Sequence, residues 1–340
     1  QAPQGGALGN TITQRLTTVG GQITLGDLAQ YGPLVAQAAA QLRAAQTDEA
    51  VAERAERVKT IGLYYAALKA HAIAGARADA LASAQAFAKA AQTRFGAGDA
   101  PRIDVVRAQL AEAKAQSDLA HAKADDANAL DALEREAGLT AGTLGSTTTA
   151  PIAETPVLTA DKAVARAIAQ RGDLRSADEN VRAAQAGVAA AQHAAFPPVT
   201  LSAGYTHGVD SGVNVHGPTI NAQIAIPIGN AAGAKVRVQR ALVDAATAKR
   251  EGVARQIATE VGAASRTAQA AVEAQRASDT ALSAAKAELD AATLGYRNGA
   301  SSSLDLSSAR SAYAQAEVDA LSARYDRLQS QATLDLEVSE

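Results

Sequence analysis

The chain has 340 residues, enough for two or three domains, yet only 3% are aromatic and Trp, Met and Cys are absent, so alanine must do most of the packing. With 32 basic and 35 acidic residues the net charge is -3, and no basic run could track a phosphate backbone, which argues against nucleic acid as a partner. The lack of cysteine suits an oxidising compartment without a disulfide framework. No apolar run approaches the ~20 residues that a membrane-spanning helix needs, so any membrane crossing must be made by β-strands.

The chain opens on Gln1-Ala-Pro-Gln, which reads as a processed or trimmed N-terminus. A short strand pattern follows: Ile12, Leu16 and Val19 among threonines, Gly20-Gly21 as a turn, then Ile23 and Leu25. From about Leu34 to Thr93 the pattern is helical, with Pro33 near the first turn, where proline is tolerated. Arg94-Phe-Gly-Ala-Gly98 makes a turn, and a return helix runs from about Ile103 to Ala137. Gly138 to Pro156 is rich in Thr, Gly, Ser and Pro and reads as a linker. Thr159 then caps a helix, with Leu158 as the outer half of a hydrophobic staple. That segment, Asp161 to Ala195, is split at Arg171-Gly172-Asp173, where Gly172 breaks one helix and Asp173 caps the next.

From Val199 the residues alternate, with Val199, Leu201, Ala203 and Tyr205 on one face and Thr200, Ser202, Gly204 and Thr206 on the other. After a Gly/Asp/Ser-rich stretch from Gly208 to Gly212, Ile220, Ala222, Ile224, Ile226 and Ile228 alternate with Asn221, Gln223, Ala225 and Pro227. The two runs read as a β-hairpin over about 199–228 with one apolar face and one small or polar face. Ala231 to about Leu294 is free of proline; ~64 helical residues would span roughly 95 Å. Tyr296-Arg-Asn-Gly299 makes a second turn, and Leu304 to Leu336 returns.

The two turns are copies. At an offset of 201 positions, Gly98 falls on Gly299, Asp104 on Asp305, Ala108 on Ala309, Asp118 on Asp319 and Ala122 on Ala323 without a gap. The chain is therefore an internal duplication of a helical hairpin. The expected organisation is a first repeat over 1–139 that lacks its leading helix and strand, a linker over 140–157, and a complete second repeat over 158–340. By this symmetry a precursor would carry about 45 further residues, besides a signal peptide, before Gln1. In a membrane the apolar strand face would meet lipid and the small polar face would line water. One protomer has too few strands to close a barrel, and open sheet edges are not tolerated in lipid, so protomers would have to pool their strands.

In this order the pieces resemble the outer-membrane efflux protein family, the TolC-like channel-tunnels. The resemblance rests on Arg171-Gly-Asp-Leu174 with Val181, Ala183, Ala184, Val188 and Ala191. It rests also on Phe196-Pro197-Pro198 entering the strand, Ile226-Pro-Ile-Gly229 leaving it, and both copies of the aromatic-x-x-Gly-x-x-x-x-x-Asp turn, Phe95 to Asp104 and Tyr296 to Asp305. It implies a mainly α fold of long antiparallel helical hairpins. Three protomers would form an α-barrel tunnel and would share a 12-stranded outer-membrane β-barrel. It further implies an outer-membrane duct of a Gram-negative bacterium, extending into the periplasm and serving tripartite efflux or type I secretion. Its partners would be a periplasmic adaptor, an inner-membrane transporter and outer-membrane lipid, with no cofactor or metal. Carried over by position, Phe95, Gly98, Asp104, Tyr296, Gly299, Asp305 and Ser308 fall at the periplasmic tip, where the adaptor docks and the aperture narrows. Where the TolC-type pattern has a basic residue after the second glycine and a second acid after the second aspartate, this chain has Ser301 and Ser308, which implies a less strongly closed or less cation-selective aperture.

Simpler roles exist for the same residues. Asp104 and Asp305 can cap the return helices, Gly98 and Gly299 can serve only the turns, and Gly-Ala-Gly at 96–98 follows no strand and is no phosphate loop. His207, Asp210 and His216 share one predicted hairpin loop, and His71, His121 and His193 stand alone on helices. No Ser/His/Asp, paired-carboxylate or HExxH arrangement supports catalysis, so no enzyme is expected. A soluble periplasmic adaptor or scaffold with helical hairpins is the alternative; it would need a lipoyl-like or β-barrel domain that has no counterpart here. A lipid-surface helix would carry a broad Leu/Phe/Trp face where these helices carry alanine. The transported substrate, whether drug, metal ion or protein, is not legible.

Overall fold

The structure is a computed structural model in which residues 14–144, 157–210, 213–226 and 230–339 are described. Ile12, most of the expected linker, the tip of the hairpin at 211–212 and the Pro227-Ile228-Gly229 exit lie outside those residues. The order is β1 (Gln14–Thr24), α1 (Leu25–Gly96), α2 (Arg102–Glu136), α3 (Ala160–Gln170), α4 (Gly172–His193), β2 (Val199–Asp210), β3 (Val213–Ile224), α5 (Ala231–Arg297) and α6 (Ser303–Val338). No helix among the described residues is long and apolar enough to cross a membrane.

Several local expectations are corrected. Gly20-Gly21 is not a turn but the middle of one strand, with Gly20 opposite Gly204. A Cβ on Gly20 would come within 2.5 Å of the Ala203 carbonyl oxygen, so the pair marks a close approach of two backbones. α1 starts at Leu25, which places Pro33 inside the helix rather than at its first turn; there it forgoes one intrahelical hydrogen bond. The α3–α4 break falls on Arg171, whose ψ of 131° ends α3, while Gly172 already opens α4. Thr159 holds the N-cap position of α3, but its hydroxyl makes no capping bond. β2 and β3 together absorb most of the stretch expected to be loop, so His207, Asp210 and His216 are strand residues.

The chain divides into two compact units, Gln1–Asp48 with Asp173–Val253 and Glu49–Gly172 with Ala254–Glu340. In the first unit β1, β2 and β3 form an antiparallel sheet in that order. One face carries Val19 and Ile23 of β1, Leu201 and Tyr205 of β2 and Ile220 and Ile224 of β3, all exposed. The other carries small and polar residues, with Thr18 and Thr206 hydroxyls 3.0 Å apart. Past the Tyr205 row, toward the β2–β3 turn, the pattern inverts: Leu16, Val213 and Val215 lie on the small-residue face. Below the sheet α4 packs between α1 and α5 through alanines such as Ala40, Ala44, Ala177, Ala183 and Ala190. Gly187 lies between Gln37 of α1 and Gln239 of α5, and a Cβ there would push the Gln239 amide aside. Ion pairs from Arg43 to Glu179 at 2.8 Å and from Arg250 to Asp178 at 2.9 Å fix α4 to both neighbours.

In the second unit the remaining lengths of α1 and α5 pack with α2, α3 and α6. One core cluster gathers Tyr65, Leu68 and Leu328. Ile257, Val261, Ala163, Ala167 and Leu334 are also sealed from solvent. Arg171 is buried and bridges Glu260 of α5 at 3.3 Å and Glu337 of α6 at 3.1 Å. Ser265 Oγ donates to the Leu158 carbonyl at 2.8 Å, tying α5 to the start of α3. Glu134, near the end of α2, is buried and accepts from the amides of Gly142 and Leu144 at 2.8 and 2.7 Å.

Candidate functional site at the hairpin tips

The two turns are built by one local device. α1 ends with the Gly98 amide bonded to the Phe95 carbonyl at 3.0 Å and the Asp99 amide to the Arg94 carbonyl at 2.9 Å. α5 repeats this at the same offset, Gly299 to Tyr296 at 3.3 Å and Ala300 to Gly295 at 2.7 Å. Both are Schellman caps, which require a left-handed residue, and Gly98 and Gly299 supply φ of 83° and 75°. The equivalence of the two turns therefore extends from sequence to hydrogen bonding.

After the turns the copies part. The N-cap of α6 is Ser302, whose hydroxyl accepts from the Asp305 amide at 3.2 Å, while Asp305 Oδ2 accepts from the Ser302 amide at 2.8 Å. This is a capping box. The backbone bond from Ser302, then its hydroxyl, holds the exposed Asp305 carboxyl below the ordinary aspartate range. In the first copy the N-cap is Pro101, which offers neither amide nor hydroxyl. Asp104 instead is buried and accepts a hydrogen bond from Ser303 Oγ of α6, to which Arg107 Nη1 also donates at 3.3 Å. Asp104 thus joins the start of α2 to the start of α6, and Asp305 serves its own helix.

Behind the turns lies a small core of Phe87, Ala88, Ala91, Val105, Ala108 and Leu306, with Leu289, Ala292 and Tyr296 against it. Phe87 meets Tyr296 edge-on at 6.0 Å, Arg94 sits over Tyr296 and Arg310 over Phe87, each 4.8 Å from the ring centroid. Arg310 also donates to the Ser83 carbonyl at 2.8 Å, and burial lowers its pKa from the ordinary guanidinium value. The Tyr296 hydroxyl is buried without a hydrogen-bond partner among the described residues. Phe95 and Ser308 are exposed.

Sequence reasoning brought Asp104, Tyr296, both glycines and the turn residue Arg94 to this place but missed Ser303, Arg107, Phe87 and Arg310. Arg107 and Ser303 leave no trace in the repeat pattern, because their counterparts at the 201 offset are Ser308 and Arg102. Asp210 lies on the sheet face opposite to His207 and His216, and among the described residues no three or more His, Asp or Glu side chains could hold a metal ion. His71 is not isolated, its Nδ1 lying 3.2 Å from Asp126.

A sheet with one apolar face, together with long antiparallel helical hairpins that end in two copied turns, is the element set of a channel-tunnel fold. Residues 163–336 match the outer membrane efflux protein family, and the chain belongs to that family. It is an outer-membrane efflux channel protein whose helices extend into the periplasm. Solved structures agree on the fold. A Pseudomonas aeruginosa membrane protein is 18% identical, with a TM-score of 0.78 over 96% of this chain and 81% of its own. VceC of Vibrio cholerae is 17% identical, with a TM-score of 0.76 over 96% and 85%. The open-state MtrE channel of Neisseria gonorrhoeae is 19% identical, with a TM-score of 0.67 over 97% and 81%. No curated protein matches the sequence significantly.

Proposed function

We propose that three copies of this chain pool their strands into one outer-membrane barrel and their hairpins into one periplasmic tunnel. The tunnel serves as a passive duct for substrate delivered by an inner-membrane transporter through a periplasmic adaptor. The sheet carries this reading: from Ile23 and Ile224 to Tyr205 its exposed face carries an apolar band, and its β1 and β3 edges need partners in lipid. The same band disfavours a soluble adaptor. The tips, with Phe95, Gly98, Asp104, Tyr296, Gly299, Asp305 and Ser308, are the adaptor-docking and aperture-forming end, and no catalytic role is assigned to any residue. Sedimentation of detergent-extracted protein and planar-bilayer recording test the proposal. A trimer that conducts ions supports it; a stable monomer without detergent overturns it.

A further inference from the structure

The outward sheet face changes character in two residues. Tyr205 closes the apolar band, and beyond it the same face carries Thr17, His207 and His216 in one cross-strand row, then Arg15 and Asn214 on either side of the half-exposed Val209 in the next. All five polar side chains carry hydrogen-bond donors, and the only ionisable groups among them are Arg15 and the two imidazoles. Asp210 belongs to the opposite face. Strand spacing places the group within about 10 Å across the sheet and about 7 Å along it, the scale of one phosphate with its ester arms. None of the five side chains hydrogen-bonds or ion-pairs with another described residue. An apolar band edged by tyrosine and followed by unengaged donors is the sequence of environments met on leaving hydrocarbon for headgroups.

We propose that Arg15, Thr17, His207, Asn214 and His216 form a seat for the phosphate of an anionic lipid at the membrane surface nearest the β2–β3 turn. The proposal rests on the reading of this sheet as part of a membrane barrel. Arg15 supplies the planar fork that suits phosphate oxygens, the imidazoles and Thr17 complete the donor set, and the acyl chains lie along the Leu201–Ile220 band. Choline-capped or phosphate-free lipids satisfy fewer of these donors.

Native mass spectrometry of the detergent-extracted protein tests this, with dioleoyl phosphatidic acid, dioleoyl phosphatidylcholine or dioleoylglycerol added and bilayer conductance recorded in parallel. The wild type should retain phosphatidic acid in preference to both others. Joint Arg15→Gln, His207→Asn and His216→Asn should cut that retention by about tenfold, the scale of one lost charge-assisted pair, with conductance intact. Arg15→Gln alone should give a smaller loss if the triple variant does not assemble. Equal retention by wild type and variants, in a channel that conducts, overturns the seat and leaves the channel standing. Displacement of the lipid by inorganic phosphate overturns it in favour of a free-anion site. A wild type that neither inserts nor conducts overturns both.

Discussion

Asp104 and Asp305 occupy matching positions, yet one is sealed against Ser303 and the other stands exposed in its capping box. If the tips surround the aperture, Asp305 contributes the field that selects cations and Asp104 contributes little. Asp305→Asn should lower cation selectivity and weaken block by divalent or trivalent cations in bilayer recordings while leaving helix content nearly unchanged, because an Asn Oδ1 at N3 can still accept from the Ser302 amide. Unaltered selectivity would make Asp305 a cap alone. Its lowered pKa also fixes a pH dependence. A depressed folded value adds stability above the ordinary aspartate pKa, and that stability disappears as pH falls through the folded value; a Ser302→Ala variant should therefore lose less between pH 5 and strong acid, about pH 2, in thermal melts. Glu134 makes a second test. Its carboxylate holds two amides past the end of α2, so Glu134→Ala should cost about 1.5–3 kcal/mol and speed hydrogen exchange at Gly142 and Leu144.

Among the elements, the break between α3 and α4 depends on a buried cation. Arg171→Met removes the cation shared by Glu260 and Glu337 and should destabilise by about 1.5–3 kcal/mol in denaturant melts. The sheet depends on glycine. A Cβ on Gly208 would come within 1.9 Å of the Arg15 carbonyl oxygen, so Gly208→Val should part β1 from β2 and abolish the detergent-stable assembly with helical circular dichroism retained. Helix order, hairpin turns and the β2–β3 alternation were legible because each is a local pattern. The Gly20-Gly21 and Arg171-Gly172 readings went astray for one reason: glycine marks a turn, a break or a close backbone approach, and only the register to Gly204 and the partners of Arg171 decide among them. Asp104 paired with Ser303 was illegible because it joins the two copies across a distance in sequence that no periodicity reports.

At the scale of the molecule, each unit is assembled from segments far apart in the chain. Thr24 pairs with Thr200 across 176 positions, so the sheet can close only after most of the helices have been made. Refolding from urea into detergent should therefore restore helical circular dichroism before a trimer appears by crosslinking. Simultaneous recovery would contradict that order. Burial also leaves electrostatic strain in the helical unit. Its surroundings, then Asp79, hold the Glu317 carboxyl above the ordinary glutamate value, so Glu317→Gln should raise the melting temperature at neutral pH and lose that advantage in acid.

The hydrogen bond between Asp104 and Ser303 carries a consequence for descent by duplication. Two identical copies would each cap themselves or each fail to; here Pro101 and Arg102 stand where the other copy has Ser302 and Ser303, so the first copy has no side-chain cap of its own and leans on a hydroxyl supplied by the second. The halves have become complementary and can no longer be exchanged. A gene encoding the first hairpin twice would leave both aspartates stranded beside prolines, whereas one encoding the second twice would give two self-capped tips without the buried carboxylate–hydroxyl link between them.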